Sequence, residues 1–278
     1  MPVPPLIDFP IPTFLRDLPR SKYLPNYLFF TSHCDSATQA SSAGVYCGSW
    51  ARDTLFMWQW IHDTPQQHFD CHFNMQSTYP TMFISTTSEF LRALLIAVGH
   101  HRRQRYGIKI TVIDVKKAME SHHDITHARE IAQRLHREDA AKKKSEWVFL
   151  GRVKPCAIVH QIDFDATLCN SLFRLFPTFQ DQAYLWELRS NIPRDFHLSD
   201  PYLFDQHNQA KRDAQQCAML ANWLGEPGGW TCEQKDVYLM IVGQIRMWKD
   251  DMSGADAEYQ RDFLEKLSLW APNVFHQS

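Results

Sequence analysis

Residues 82–115, MFISTTSEFLRALLIAVGHHRRQRYGIKITVIDV, decide the reading of the fold. The stretch opens on a short apolar strand, Met82-Phe83-Ile84, and passes into a run of hydroxyls, Ser85-Thr86-Thr87-Ser88. Thr86 and Glu89 have the spacing of a capping box, in which each side chain satisfies an amide orphaned in the first helical turn. Phe90, Leu91, Leu94, Leu95 and Val98 follow at helical spacing, which predicts one buried face. The helix should end in His100-His101-Arg102-Arg103-Gln104-Arg105, where cations suit the negative end of the helix dipole. Gly107 breaks it, and Ile108 to Ile113 alternates toward a strand. A strand, hydroxyl turn, helix and strand in this order set polar groups at the mouth of an apolar scaffold.

Upstream, Tyr27-Leu28-Phe29-Phe30-Thr31 reads as the first core strand. Residues 1–26 carry seven prolines and should form an extended arm, because proline fixes φ and removes a donor. Ser32 to Ser42 is polar and reads as a surface loop, with a cover over a cleft as the alternative. Residues 50–61, WARDTLFMWQWI, are apolar on more than one face and suggest a buried helix. Arg52 and Asp53 at its start read as a cap and a surface contact rather than a site pair. Residues 62–80 look like a loop with His62, His68 and His72. His68-x-x-Cys71-His72 is half of a metal site at most, since no second ligand pair has matching spacing, and no metal is expected.

Downstream, Lys116 to Arg137 is expected to be helical. It holds His122, His123 and His127, the last two an i,i+4 pair on a solvated or interface face. No HExxH pattern accompanies them. Residues 134–144 are highly charged and end in Lys142-Lys143-Lys144, a solvated loop before it is a phosphate-steering patch. Glu146-Trp147-Val148-Phe149-Leu150-Gly151 begins another strand, and residues 157–164, AIVHQIDF, a further one beyond Pro155. Glu146 stands where the basic loop enters the apolar strand; it either projects into a cleft at the sheet or simply starts a strand. From Asn170 the pattern turns helical, over residues 180–190, 205–224, 232–249 and 258–270, with Gly225-Glu226-Pro227-Gly228-Gly229 as a breaker. The expected organisation is an α+β core over 27–169 between the proline-rich arm, 1–26, and a helical C-terminal region, 170–278.

The chain has 278 residues, 44% of them hydrophobic and 22% charged, enough to bury a sizeable core. Nine Trp and eighteen Phe suggest well-filled pockets or an aromatic-lined cleft. A formal charge of -2 gives no general attraction to nucleic acid, so DNA is not expected as a partner and any polyanion contact must be local. The seven cysteines contain no Cys-x-x-Cys pair, which argues against a zinc ribbon or a thioredoxin-type motif. The first residues lack the apolar core of a signal peptide, and no run approaches the roughly 18 apolar residues of a membrane span. A cytoplasmic protein without a membrane partner is the expectation.

The succession Leu28-Phe29-Phe30, then Phe83-Ile84-Ser85-Thr86-Thr87 leading into a helix, then Ile110 to Val115, then Glu146 to Leu150 resembles the ADP-ribosyltransferase-like fold. In particular it looks like fungal domains of unknown function with that fold, over roughly residues 27–165. The resemblance implies a cation on the first strand, hydroxyls that hold the nicotinamide ribose, and a glutamate that polarises a ribose hydroxyl. Ser85, Thr86 and Thr87 match the hydroxyl turn and Glu146 the carboxylate, while Phe30 occupies the place of the cation, with His33 nearby. NAD would then be the substrate.

The whole chain also resembles the small fungal arginine-containing cyclodipeptide synthases in its length, proline-rich start and helical tail. Those enzymes of secondary metabolism take charged tRNA as donor and make a cyclic Arg-Xaa dipeptide. Their DDxxE motif has a partial counterpart in Asp250-Asp251-Met252-Ser253-Gly254, with Glu258 further along. This resemblance implies a transferase without a cofactor. Ser85, Thr86 and Glu146 would be catalytic, Thr87 and Trp147 would line the substrate, and Arg102, Arg103 and Arg105 would steer the tRNA acceptor end. Beside these two activities stands a non-catalytic binding protein on a degenerate transferase fold.

Overall fold

The computed structural model describes residues 24–48, 65–74, 81–120, 125–137, 145–175 and 235–241, and scattered positions between 211 and 269. It is a mixed α+β arrangement of one six-stranded sheet and one small three-stranded sheet, every pairing antiparallel. The first strand, β1 (Tyr27–Ser32), lies inside the large sheet between β4 (Phe83–Thr87) and β5 (Lys109–Asp114). Next to β4 comes β7 (Glu146–Leu150), then the edge strand β6 (Ile125–His127); beyond β5 lies β9 (Ile158–Asp163) at the other edge. The order is β6-β7-β4-β1-β5-β9.

Alternation along the strands sorts the core into two layers. Phe29, Ile110 and Val112 pack on one face against α2 (Phe90–Arg102), where Phe90, Leu91, Leu94, Leu95 and Val98 form the buried stripe that the helical spacing predicts. Leu172 of α5 (Ala166–Leu175) and Ala214, Ala218, Val237, Tyr238 and Ile241 join this cluster. Leu28, Phe30, Ile84, Ile113, Trp147 and Phe149 face the other way, onto Val45 and Cys47 beside the small sheet. That sheet runs β2 (Gln39–Ser41), β3 (Gly44–Tyr46), β8 (Arg152–Val153). Gly44 sits at φ +123, and a Cβ there would stand 2.4 Å from the Val153 carbonyl oxygen, so the hairpin requires glycine.

Three local expectations are corrected. Residues 62–80 are not all loop: α1 (Pro65–Phe73) is a helix opened by proline, whose missing N–H is no loss in a first turn. Phe69 and Phe73, one turn apart, bring their rings to 4.3 Å, and Phe69 is buried against Met82, Phe83 and Val148. Lys116 to Arg137 is not one helix but α3 (Val115–Glu120), strand β6 and α4 (Ala128–Arg134). Ile125, Thr126 and His127 pair with Phe149, Val148 and Trp147, and ladder bonds with a buried Ile125 override local helix preference. Inside the polar segment after β1, residues 39–41 form the hairpin strand β2.

Lys211, Ala214, Gln215, Ala218, Cys232 and residues 235–241, 261, 265, 266 and 269 are helical, each within a span expected to be helix. The readings of residues 1–23, 50–61, 180–190 and 225–229, of Arg52, Asp53, His62, His122, His123, Lys142, Lys143 and Lys144, and of Asp250, Asp251 and Glu258 fall outside the described residues. Among the described residues no helix is long and apolar enough to cross a membrane.

Candidate active site

Strands β4 and β7 run antiparallel with Ser85 opposite Val148 and Thr87 opposite Glu146. Residues two apart on a strand share a face, so Ser85 and Thr87 lie on the same face as Val148 and Glu146, the one on which Arg92 of α2 reaches Glu146. Across this step the Ser85 hydroxyl donates to Glu146 Oε1 at 2.8 Å. The other carboxylate oxygen lies 3.8 Å from a guanidinium nitrogen of Arg92, in the first turn of α2. Only 12% of the Glu146 side chain is exposed, against 28% for Arg92. Arg92 also donates to the Ser145 hydroxyl at 3.4 Å.

The backbone holds these groups in place. Ser88 N–H donates to the Ser145 carbonyl at 3.0 Å, clasping the turn before α2 to the start of β7. Glu89, at the helix N-cap position, hydrogen-bonds Ser145 and feels the Arg92 charge, but burial dominates and raises its pKa above the ordinary glutamate value. One guanidinium therefore serves two carboxylates, Glu146 and Glu89, the second of which burial pushes toward its neutral form.

The residues singled out from the sequence divide between places. Ser85 and Glu146, 61 positions apart, are in direct contact. Thr87 is buried beside them, and its hydroxyl oxygen accepts from the Glu89 N–H at 3.2 Å. The capping box does not form: Glu89 makes no side-chain cap bond, and the Thr86 hydroxyl donates to the Trp147 carbonyl at 3.0 Å. The strand continues through Thr87, so its alternation turns Thr86 to the opposite face from Ser85. Trp147 lies on that opposite face too, 5% exposed, its ring 4.6 Å from that of His127. His127 itself caps α4, accepting from the Arg129 N–H through Nδ1.

Arg102, the last residue of α2, and Arg103 and Arg105 after it stand at the far end of the helix, about 20 Å from Glu89 at 1.5 Å per residue. Arg102 packs over the Phe173 ring at 5.7 Å, Arg103 is exposed, and Arg105 pairs with Asp35 at 2.9 Å. Burial pushes the Cys169 thiol, near Arg102, up to about 11, which makes it a poor nucleophile at neutral pH. The histidine pair His33 and His100, with ring centroids 4.5 Å apart, belongs to this end as well. Among the described residues no three His, Cys, Asp or Glu side chains gather as metal ligands would.

Arg92 and Ser145 were not singled out in the sequence, and Glu89 only as half of a capping box. The available signal was the i,i+3 spacing of Glu89 and Arg92 at a helix start, together with the adjacency of Ser145 to Glu146. What the group can do follows from its parts. A carboxylate fixed by a hydroxyl on one oxygen and a cation near the other keeps a set direction, and an oriented anion can stabilise positive charge developing on a substrate.

A family model described as a domain of unknown function, DUF7587, matches residues 23–167. The chain belongs to this family. The DUF7587 match spans all six strands of the large sheet and includes Ser85, Glu89, Arg92, Ser145 and Glu146. No curated protein and no solved structure matches the chain.

Proposed function

We propose that this chain is a transferase with an ADP-ribosyltransferase-like fold that cleaves the N-glycosidic bond of a nicotinamide dinucleotide. The observation that carries the reading is the 2.8 Å hydrogen bond from Ser85 to Glu146. The resemblance asks for a hydroxyl strand and a glutamate strand that act on one ribose; β4 and β7 are neighbours, and β1, which would bear the cation, lies directly beside β4. These three strands come from separate parts of the sequence, and their adjacency supports the reading independently of residue type.

In this reading the Glu146 carboxylate accepts a hydrogen bond from a ribose hydroxyl and stabilises the positive charge that grows on the ring as the bond to nicotinamide breaks. The bonding electron pair leaves with nicotinamide. An acceptor nucleophile, or water, adds to the anomeric carbon and gives up its proton. Ser85 keeps the carboxylate aimed. Thr86 and Trp147, on the opposite face, take no part in that step.

The test is incubation of the purified full chain with NAD, with nicotinamide release as the readout. Release that disappears in Glu146→Gln supports the reading. Intact NAD at high concentrations of the folded protein overturns it. If an expressing host accumulates a cyclic arginine-containing dipeptide instead, and the protein leaves NAD intact, the function is that of an aminoacyl-tRNA-dependent cyclodipeptide synthase.

A further inference from the structure

We infer that Arg92 is the cation of this site, supplied by helix α2 instead of the first strand, and that it selects substrates bearing a diphosphate. The inference rests on the NAD reading and names how that substrate would be held. Strand β1 reads Tyr27-Leu28-Phe29-Phe30-Thr31-Ser32, with no charged side chain along it. Phe30 is 5% exposed and belongs to the apolar cluster behind the sheet, so it offers nothing to an anion. Arg92 stands on the Ser85–Glu146 face and reaches within 3.8 Å of Glu146.

The hold on Arg92 is loose. A guanidinium carries five N–H donors, and among the described residues Arg92 makes one hydrogen bond, to Ser145 at 3.4 Å, with its ion pair to Glu146 at 3.8 Å. Both distances lie beyond the 2.7–2.9 Å usual for strong charge-assisted contacts. The fork is thus free to turn its planar edge toward a diphosphate, whose oxygens match it in pairs, without breaking a strong bond. The Ser88–Ser145 clasp keeps α2 and β7 in register, so a diphosphate on Arg92 is kept at a set reach from the ribose on Glu146.

The experiment uses the full chain and two readouts. Calorimetric titration with ADP-ribose measures the diphosphate contact without turnover. Arg92→Ala should weaken this binding about 10- to 100-fold, the loss of charged hydrogen bonds, with Arg92→Lys intermediate as a point charge without the fork. Nicotinamide release is then compared for NAD and for nicotinamide riboside, which lacks the phosphates. The drop for Arg92→Ala on NAD should exceed its drop on the riboside by the same factor. Equal drops on both substrates would reduce Arg92 to a positioning residue for Glu146 and overturn the inference. So would ADP-ribose binding that ignores both Arg92 variants while their near-ultraviolet circular dichroism stays native, or wild-type protein that does not bind ADP-ribose. If NAD is never cleaved yet ADP-ribose binding depends on Arg92, the NAD reading fails and the diphosphate site stands.

Discussion

The two ends of α2 carry charge in opposite ways. At its start, Glu89, Arg92 and the Glu146 carboxylate of the neighbouring strand are drawn together and partly shielded from water. At its end, Arg103 and Arg105 are exposed and Arg105 pairs with an equally exposed Asp35. The helix dipole accounts for acid at one end and base at the other. It does not account for burial. Ionised groups kept from water are costly to the fold, and a fold holds them there when their direction matters. The basic cluster is the conspicuous feature in sequence, whereas the proposed site joins one serine, one glutamate and one arginine at the other end.

The largest effect should come from the shielded end. Glu146→Gln should lower nicotinamide release by about 10²- to 10⁴-fold with a cooperative thermal transition retained; a variant with native turnover would remove the buried end from consideration. Ser85→Ala should follow with a loss of about 10- to 100-fold, because the carboxylate loses the donor that aims it. Turnover unchanged in Ser85→Ala would show that the β4–β7 contact serves only the fold.

A subtler effect is the pH dependence of stability. The raised pKa of Glu89 means that the fold favours its neutral form, so this contribution is full below the ordinary glutamate range and is lost as pH rises through the raised value. Glu89→Gln should flatten the denaturation midpoint between acid and neutral pH relative to wild type. Parallel curves would mean that the Glu89 site is better hydrated than its burial indicates. The smallest effect belongs to the exposed end: Arg105→Ala removes a surface pair worth about 0.2–1 kcal/mol and should leave NAD turnover at the wild-type rate. A turnover defect there would erase the contrast between the two ends.

Much of the framework is legible in residues 82–115 because its periods are clean. Phe90, Leu94 and Val98 declare a helix, and the alternation around Ile110 and Val112 declares a strand, which the fold then buries on both faces. Strand β6 is hidden because three residues cannot display a period, and Ile125 to His127 become a strand only through β7. Helix α1 is hidden because its apolar anchors, Phe69 and Phe73, lie among polar and histidine neighbours. For the site, local spacing misleads at Thr86: a capping-box match competes with strand alternation, and alternation wins because β4 is hydrogen-bonded on both sides. The meeting of Ser85 with Glu146 is legible as an expectation from resemblance. The position of Arg92 beside Glu146 is not, because it depends on how α2 folds back over β1, β4 and β5, a tertiary fact that no window of sequence contains.

Strand order also has a consequence for biogenesis. All six strands of the large sheet have been translated by Asp163, so its hydrogen-bonded framework can assemble while more than a third of the chain has yet to emerge. Yet Val237, Tyr238 and Ile241 pack into the cluster around α2. Until they arrive, the part of that greasy flank which they cover stays open to the solvent.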